Sequence, residues 1–344
     1  MSLAGDTMVV SRDGILPIRS LVGNPTLLVP RMGRHGGLSV RGTFQKVEVR
    51  SFGIQALWEI SLQRGRSQRV VAATADQCWL IAAERWKENW KEPETYERTT
   101  QQLHRGDRLR ALHANSSIQE QSLMPVAAAQ GFVFGDGACG MGERPAFVNF
   151  NGTKDRALLP FFTGYQPRKV MVHSEYKGKQ IAKKEALQIY GVPRFWKQLP
   201  PIQESRAFLL SWLAGYFAAD GTVSKTSQAV LSSASQEALG FARAVLAVCG
   251  VGYSVIRRSM RLGKGTKLSA LYRVNLRVRD LPSWFFLMPH HLERIKAAEH
   301  STAETPWCVM DIRKTKKCEE TFGVRFKSAR AFGLSEDLTC GGAK

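Results

Sequence analysis

Two aspartates of this 344-residue chain, Asp136 and Asp220, are placed to share one piece of chemistry. Each closes an apolar run of helical character, Met124 to Phe134 before the first and Arg206 to Ala219 before the second, and glycine follows each acid. Gly131-Phe132-Val133-Phe134-Gly135-Asp136-Gly137 is echoed by Gly215-Tyr216-Phe217-Ala218-Ala219-Asp220-Gly221. Small residues let two helix backbones approach closely. Helices packed side by side would bring their C-terminal ends, and so both carboxylates, to one spot. Two close carboxylates repel, and a divalent cation removes the repulsion. Mg²⁺ suits such a pair because it takes few carboxylates and completes its shell with water and phosphate oxygens. An ion held there could polarise a phosphodiester, activate water and stabilise the leaving oxygen. A single Asp-Gly is an ordinary helix end and turn; the repetition points to a site.

The charge balance names the partner class. Lys and Arg number 49 against 29 acids, a net charge of +20. That excess favours a polyanion through counterion release and long-range attraction. Nucleic acid comes first and an anionic membrane surface second, but no basic amphipathic helix stands out for the latter. No apolar run approaches the length of a membrane span, and residues Met1 to Asp13 do not read as a secretory signal. The six cysteines form neither a Cys-x-x-Cys pair nor zinc-site spacing, which fits reduced thiols in a cytoplasm.

The elements that must carry the acids are legible in outline. Residues 1–81 read as β-rich, with strands expected at Met8–Val10, Lys46–Phe52, Val70–Ala73 and Trp79–Ile81. Ala82 to Arg105 is charged and carries Trp86 and Trp90 at helical spacing, so it reads as an exposed insertion or helix that could touch DNA. Gly106-Asp107-Arg108-Leu109 reads as a turn into a strand. Gln236 to Cys249 is a third, periodic helix. Tyr272 to Arg279 alternates, with Tyr272, Val274, Leu276 and Val278 on one face and Arg273, Asn275, Arg277 and Arg279 on the other. Residues 251–279 hold Arg257, Arg258, Arg261, Lys264, Lys267, Arg273, Arg277 and Arg279 and no acid. Such a face can reach phosphates and guanine edges. Arg168 to Lys184, with Lys177 and Lys179, is similarly basic. A second echo sets Val192-Pro193-Arg194-Phe195-Trp196-Lys197 beside Leu281-Pro282-Ser283-Trp284-Phe285-Phe286. A duplicated αβ unit follows.

Leu213-Ala214-Gly215-Tyr216-Phe217-Ala218-Ala219-Asp220-Gly221 closely resembles the LAGLIDADG motif of homing endonucleases. Ala129 to Gly137 is a looser copy, with Gln130 where that family has a small residue. The resemblance covers residues 120–300 and implies two αββαββα halves, about 120–205 and 206–300, forming a saddle over the DNA major groove. It implies that Asp136 and Asp220 bind Mg²⁺, with Gly135 and Ala219 just before them. It also implies a basic residue near the scissile phosphate, for which Lys197, Lys264 and Lys267 fit by position. Lys197 falls opposite Phe286 in the echo, so the two half-sites are expected to be unequal.

The ends of the chain resemble another family. Ser2-Leu3-Ala4-Gly5-Asp6-Thr7 is similar to the opening block of inteins, which places Ser2 as the nucleophile of an N-to-O acyl shift. Val71 to Ile81 resembles the second block, with Thr74 matched and Gln77 where a histidine is expected. Trp307 to Phe332 resembles the closing strands, ending in Ala331-Phe332-Gly333-Leu334. No Asn closes the chain, which runs from Leu338-Thr339 into Cys340, and Gln77 cannot do a histidine's acid–base work. Together these resemblances imply an α+β protein in which residues 117–300 are a pseudo-symmetric duplicated LAGLIDADG endonuclease. It is inserted in an all-β HINT domain made of residues 1–116 and 301–344. The expected activity is monomeric, site-specific cleavage of double-stranded DNA in the cytoplasm of a bacterial, archaeal or phage-infected cell, without a membrane partner and with splicing impaired. Two alternatives stay open: a splicing or self-cleaving protein with an inactive nuclease, and a DNA-binding module that does not cut.

Overall fold

The computed structural model describes residues 1–32, 38–82, 95–114, 122–140, 142, 144–176, 179–262, 268–296, 306–326 and 330–342. The chain divides into two units. One gathers residues 1–116, 250–252 and 301–344, and the other 117–249 and 253–300.

The first unit is built on a 14-stranded sheet. Its longest pairing sets Glu48–Arg64 antiparallel to Trp307–Arg325, so segments far apart in sequence complete one another. Leu3–Ala4 lies between Ser67–Ala73 and Trp307–Arg325. Cys78–Ala82 pairs with Arg108–Leu109 and with Leu338–Gly341. Of the two readings of Ala82 to Arg105, exposed insertion or helix, the helix is overturned where the segment is described. Thr95–Thr99 is a strand running back along Cys78–Ala82, with Cys78 opposite Thr99. β-Branched Thr95 and Thr99 with aromatic Tyr96 favour the pleated form once a partner edge exists. Trp86 and Trp90 lie outside the described residues.

The second unit carries five helices among its described residues: α1 (Pro125–Asp136), α2 (Gly152–Asp155), α3 (Arg206–Asp220), α4 (Gln236–Cys249) and α5 (Pro289–Lys296). Two four-stranded sheets accompany them. The first runs in the order Gly137–Cys139, Ala146–Phe150, Lys179–Val192, Arg168–Tyr176, and the second Gly221–Val223, Ala229–Ser233, Leu268–Leu276, Arg257–Leu262. Each sheet opens at the glycine that follows Asp136 or Asp220. The duplication is thus the same helix, strand and crossover order used twice. The Pro/aromatic echo becomes two short 3₁₀ turns, Arg194–Lys197 and Ser283–Phe285.

The halves differ in their second helix. α4 has 14 residues, whereas its counterpart is the one-turn α2 followed by a 3₁₀ segment, Arg156–Phe161. Gly152, at φ +79°, and Pro160 inside the 3₁₀ segment prevent a longer regular helix.

α1 and α3 are apolar nearly all round and accordingly buried, from Ala127 to Val133 and from Leu209 to Ala218. Pro125 occupies the first turn of α1, where its missing N–H costs nothing, and Ser205 caps α3 by accepting from the Phe208 N–H at 3.2 Å. The two backbones meet at their glycines. A Cβ on Gly131 would stand 1.8 Å from the Trp212 carbonyl oxygen, and one on Gly215 would stand 1.9 Å from that of Ala128. Gly131→Ala and Gly215→Ala should each destabilise the fold by about 3 kcal/mol, since backbone rather than a movable side chain must yield. Gly240→Ala, on α4 with open space around its Cα, should instead stabilise by about 0.5–1 kcal/mol. Urea unfolding of the three variants measures the contrast.

Candidate active site

The glycine crossing delivers the two acids together. Just above it, a Cβ on Gly135 would lie 2.4 Å from the Ala219 Cβ and 3.5 Å from Asp220 Oδ2. Each helix then stops at once. The Gly137 N–H bonds the Val133 carbonyl and the Gly221 N–H that of Phe217. Both glycines have extended φ, −77° and −87°, so left-handed geometry does not explain them. A side chain there would run into the carbonyl it must cap, at 2.4 and 2.3 Å. Asp-Gly is therefore a helix stop that turns the chain directly into the first strand of each sheet.

Both carboxylates are hard to ionise. Burial raises Asp220, the Asp136 charge raises it further, and Lys197 and Arg261 act against them, leaving it at about 6. Burial also raises Asp136, with Asp155 adding to it and Lys154 and Lys197 opposing. Lys197 is coupled electrostatically to both acids. Its Nζ donates to the Phe134 carbonyl and lies 5.7 Å from the Phe134 ring centroid. Burial pulls its ammonium below the usual range, while Cys139, Asp220 and Asp136 counteract that pull. In the other half Phe286 takes the corresponding place, buried against the Phe217 ring at 5.6 Å. The two halves therefore differ in the residue held at this position.

Asp155 was not legible in the sequence. It ends α2 with no motif around it, yet it is buried, accepts from the Asn151 N–H at 2.8 Å and raises Asp136. Tyr216, also missed, bonds Ser233 and is pushed up to about 12, chiefly by burial.

The basic residues divide. Arg257 pairs with Arg273 and Arg261 with Ser269 in the register, on the strand face away from buried Val274 and Leu276. Arg258 pairs with Tyr272 and so takes the opposite face from Arg257, because neighbours on a strand cannot share one. The strand ends at Leu276, earlier than the alternation suggested. Arg277 and Arg279 sit at a 3₁₀ turn and pair with Asp280 at 3.4 and 3.9 Å; Asp280, one residue past the acid-free stretch, draws both off the sheet face. Lys177, Lys264 and Lys267 lie outside the described residues. Lys179 opens a strand and its side chain is not described.

In the first unit, the Ser2 N–H donates to Thr74 Oγ1 at 3.1 Å, and the Thr74 N–H returns a bond to the Ser2 carbonyl at 3.0 Å. The Ser2 hydroxyl donates to Thr321 Oγ1 at 2.9 Å and lies 3.4 Å from Gln55 Oε1. None of these partners is a base able to take its proton at neutral pH. Gln77 Nε2 donates to the Gly341 carbonyl at 2.6 Å and lies 3.1 Å from Cys340 Sγ. Burial pushes the Cys340 thiol well above its usual range, which keeps it un-ionised and a poor nucleophile. Among the described residues no helix is long and apolar enough to cross a membrane.

Residues 207–281 match the LAGLIDADG-like domain family, from the start of α3 to the end of the second sheet. The second half of the duplication, with Asp220, is therefore a LAGLIDADG-like domain. No curated protein matches the chain. Among similar solved structures, a G-1F mutant of the Ssp DnaB mini-intein variant M86 shares 10% identity over 100% of this chain and 99% of that one, at a TM-score of 0.32. The N-terminal LAGLIDADG domain of DUF199/WhiA shares 15% over 53% and 84%, at 0.33. The homing endonuclease I-DmoI G20S, in complex with its target DNA and Mg, shares 14% over 45% and 90%, at 0.29. TM-scores at this level carry no argument about this chain.

The raised Asp220 gives a stability prediction. Its folded-state pKa lies above the unfolded value, so the ionised group destabilises the fold above about pH 6, and stability is regained as pH falls toward 4. Without divalent metal, Asp220→Asn should be more stable than the parent by about 1–2 kcal/mol at pH 7.5, partial solvation limiting the effect. The difference should vanish near pH 4. Thermal unfolding at the two pH values measures it.

Proposed function

We propose that this protein is a metal-dependent, site-specific double-strand DNA endonuclease of the LAGLIDADG homing type, acting as a monomer in the cytoplasm. The observation that carries the reading is the junction of Asp136 and Asp220 at the ends of two glycine-packed helices. The donor set fits Mg²⁺. Two carboxylates that burial and mutual repulsion make costly to ionise are satisfied by a dication, and no third protein carboxylate is required. Among the described residues no group of three or more His, Cys, Asp or Glu could hold an ion, so the remaining positions would be left to water and phosphate oxygens. Asp136 and Asp220 would hold the metal, with the last helical carbonyls of Gly135 and Ala219 beside them. When bound, the ion supplies Lewis-acid polarisation of the scissile phosphate and a more acidic water.

The chain's own residues do the rest. Lys197, tethered by the Phe134 carbonyl, offers an N–H⁺ to charge developing on phosphate oxygens at one half-site. Arg257, Arg261 and Arg273 supply phosphate and base contacts from one strand face. The +20 charge draws the duplex in.

Cleavage of a plasmid carrying the uninterrupted insertion site, with Mg²⁺, tests this. Asp136→Asn and Asp220→Asn should each abolish cutting while binding persists; unchanged cutting by the double variant would sink the assignment. Lys197→Met should slow cleavage of one strand selectively, by about 10²-fold, so that singly nicked plasmid accumulates. Binding without any metal-dependent nicking would favour a DNA-binding module instead.

The first unit supports an intein-like frame in which splicing is impaired, because Gln77 stands where that family has an acid–base group and, among the described residues, no base bonds the Ser2 hydroxyl. Mass spectrometry of the chain fused between two reporters should find no ligated reporters. Ligated product would overturn the impairment.

A further inference from the structure

One arginine on the outer face of the first sheet is oriented before any partner arrives. Arg168 opposes Gln188 in the register, and Gln188 opposes Asn149, so three side chains form a row across three strands. Val148, Phe150 and Ile189, at the alternating positions, are buried in the core beneath α1, which puts the row on the other face. Arg168 Nε and Nη2 both donate to Gln188 Oε1, at 3.0 and 2.5 Å. Gln188 Nε2 in turn donates to Asn149 Oδ1 at 2.9 Å. The guanidinium lies over the Tyr190 ring, 4.9 Å from its centroid. Arg168 is exposed, and among the described residues no carboxylate pairs with it.

This is more than a phosphate contact needs. The fork can also grip two oxygens of one phosphate, but that contact needs no fixed orientation relative to the base pairs, and a lysine can serve it as a point charge. Here a neutral amide and an aromatic face hold the planar fork, and the edge away from Gln188 stays unspent. Two parallel N–H donors fixed in a plane match the O6 and N7 acceptors that guanine shows in the major groove. Ordering the long side chain in advance lowers the entropy lost on binding. The row also lies level with the site: Asn149 is the neighbour of Val148, which opposes Gly137, the residue after Asp136.

We propose that Arg168 is a specificity-determining residue that reads one guanine in the DNA major groove within a few base pairs of the cut, with Gln188, Asn149 and Tyr190 as its positioning residues. The inference rests on the endonuclease reading above.

The test is a binding selection on a random-sequence duplex library, using the full chain with Ca²⁺ in place of Mg²⁺, followed by sequencing. The parent chain should enrich a motif with one invariant G·C pair. Arg168→Lys keeps the charge and loses the fork. It should lower discrimination at that pair alone by about 5- to 150-fold, leaving the other positions as they were. Gln188→Ala should weaken the same position in part. If Arg168→Lys keeps the preference at every position, or weakens binding uniformly across sequences, the guanine assignment is overturned while the DNA-binding reading stands. If the parent enriches no motif at all, both are overturned.

Discussion

The backbone contact between α1 and α3 is the constraint on which the second unit depends. With Gly131 and Gly215 each facing a carbonyl of the opposite helix, any side chain there would push the helices apart. The same separation would part Gly135 from Ala219 and, one residue on, Asp136 from Asp220. A pair of carboxylates can share one ion only if the scaffold fixes their separation, because their own repulsion acts to open it. The glycines therefore do two jobs with one geometry. They pack the core, and they oppose the electrostatic force the site generates.

That force is not small. Asp220 sits at about 6 because burial and Asp136 both act on it, and Asp136 is itself raised by burial and Asp155. Such a site is a local instability tolerated by the packing beneath it. The aromatic contacts of Phe134 with Trp212 and Tyr216, at 5.1 and 5.0 Å, are part of that packing. Lys197 relieves the repulsion only partly, because it is itself buried and its own charge is penalised. A dication bound by both carboxylates would offset the repulsion more fully, as the metal site proposed above requires.

How much of this could be read from the sequence depends on how local the signal is. The helices were legible because each is a long apolar run ended by Asp-Gly, and the stop is enforced within the motif itself. The duplication was legible because the same stop occurs twice. The strand Tyr272–Arg279 was read three residues too long, since alternation continues past Leu276 and only Asp280, outside the window, draws Arg277 and Arg279 aside. The Thr95–Thr99 strand lies in a segment whose charge and Trp spacing suggest an exposed insertion or helix, because what decides it is the free edge of Cys78–Ala82, which no local window contains. Asp155 was invisible for the same reason: its importance is its distance from Asp136, not its neighbours in the chain.

The departures from symmetry matter more than the symmetry. A duplicated unit would make two equal half-sites if its copies stayed alike. Here one half has Lys197 where the other has Phe286, and one has the one-turn α2 with Asp155 where the other has the long α4. Each substitution alters the charge near one acid only in part, since Lys197 acts on both carboxylates while Asp155 acts on Asp136. Asp136 thus has an extra negative neighbour in Asp155, opposed by Lys154 and the shared lysine, whereas Asp220 has the shared lysine together with Arg261. The two acids, identical in type and in their place on the helix, meet different fields. A duplex is itself nearly symmetric in backbone charge, so in the proposed reaction any distinction between its two strands would come from these surroundings rather than from the phosphates.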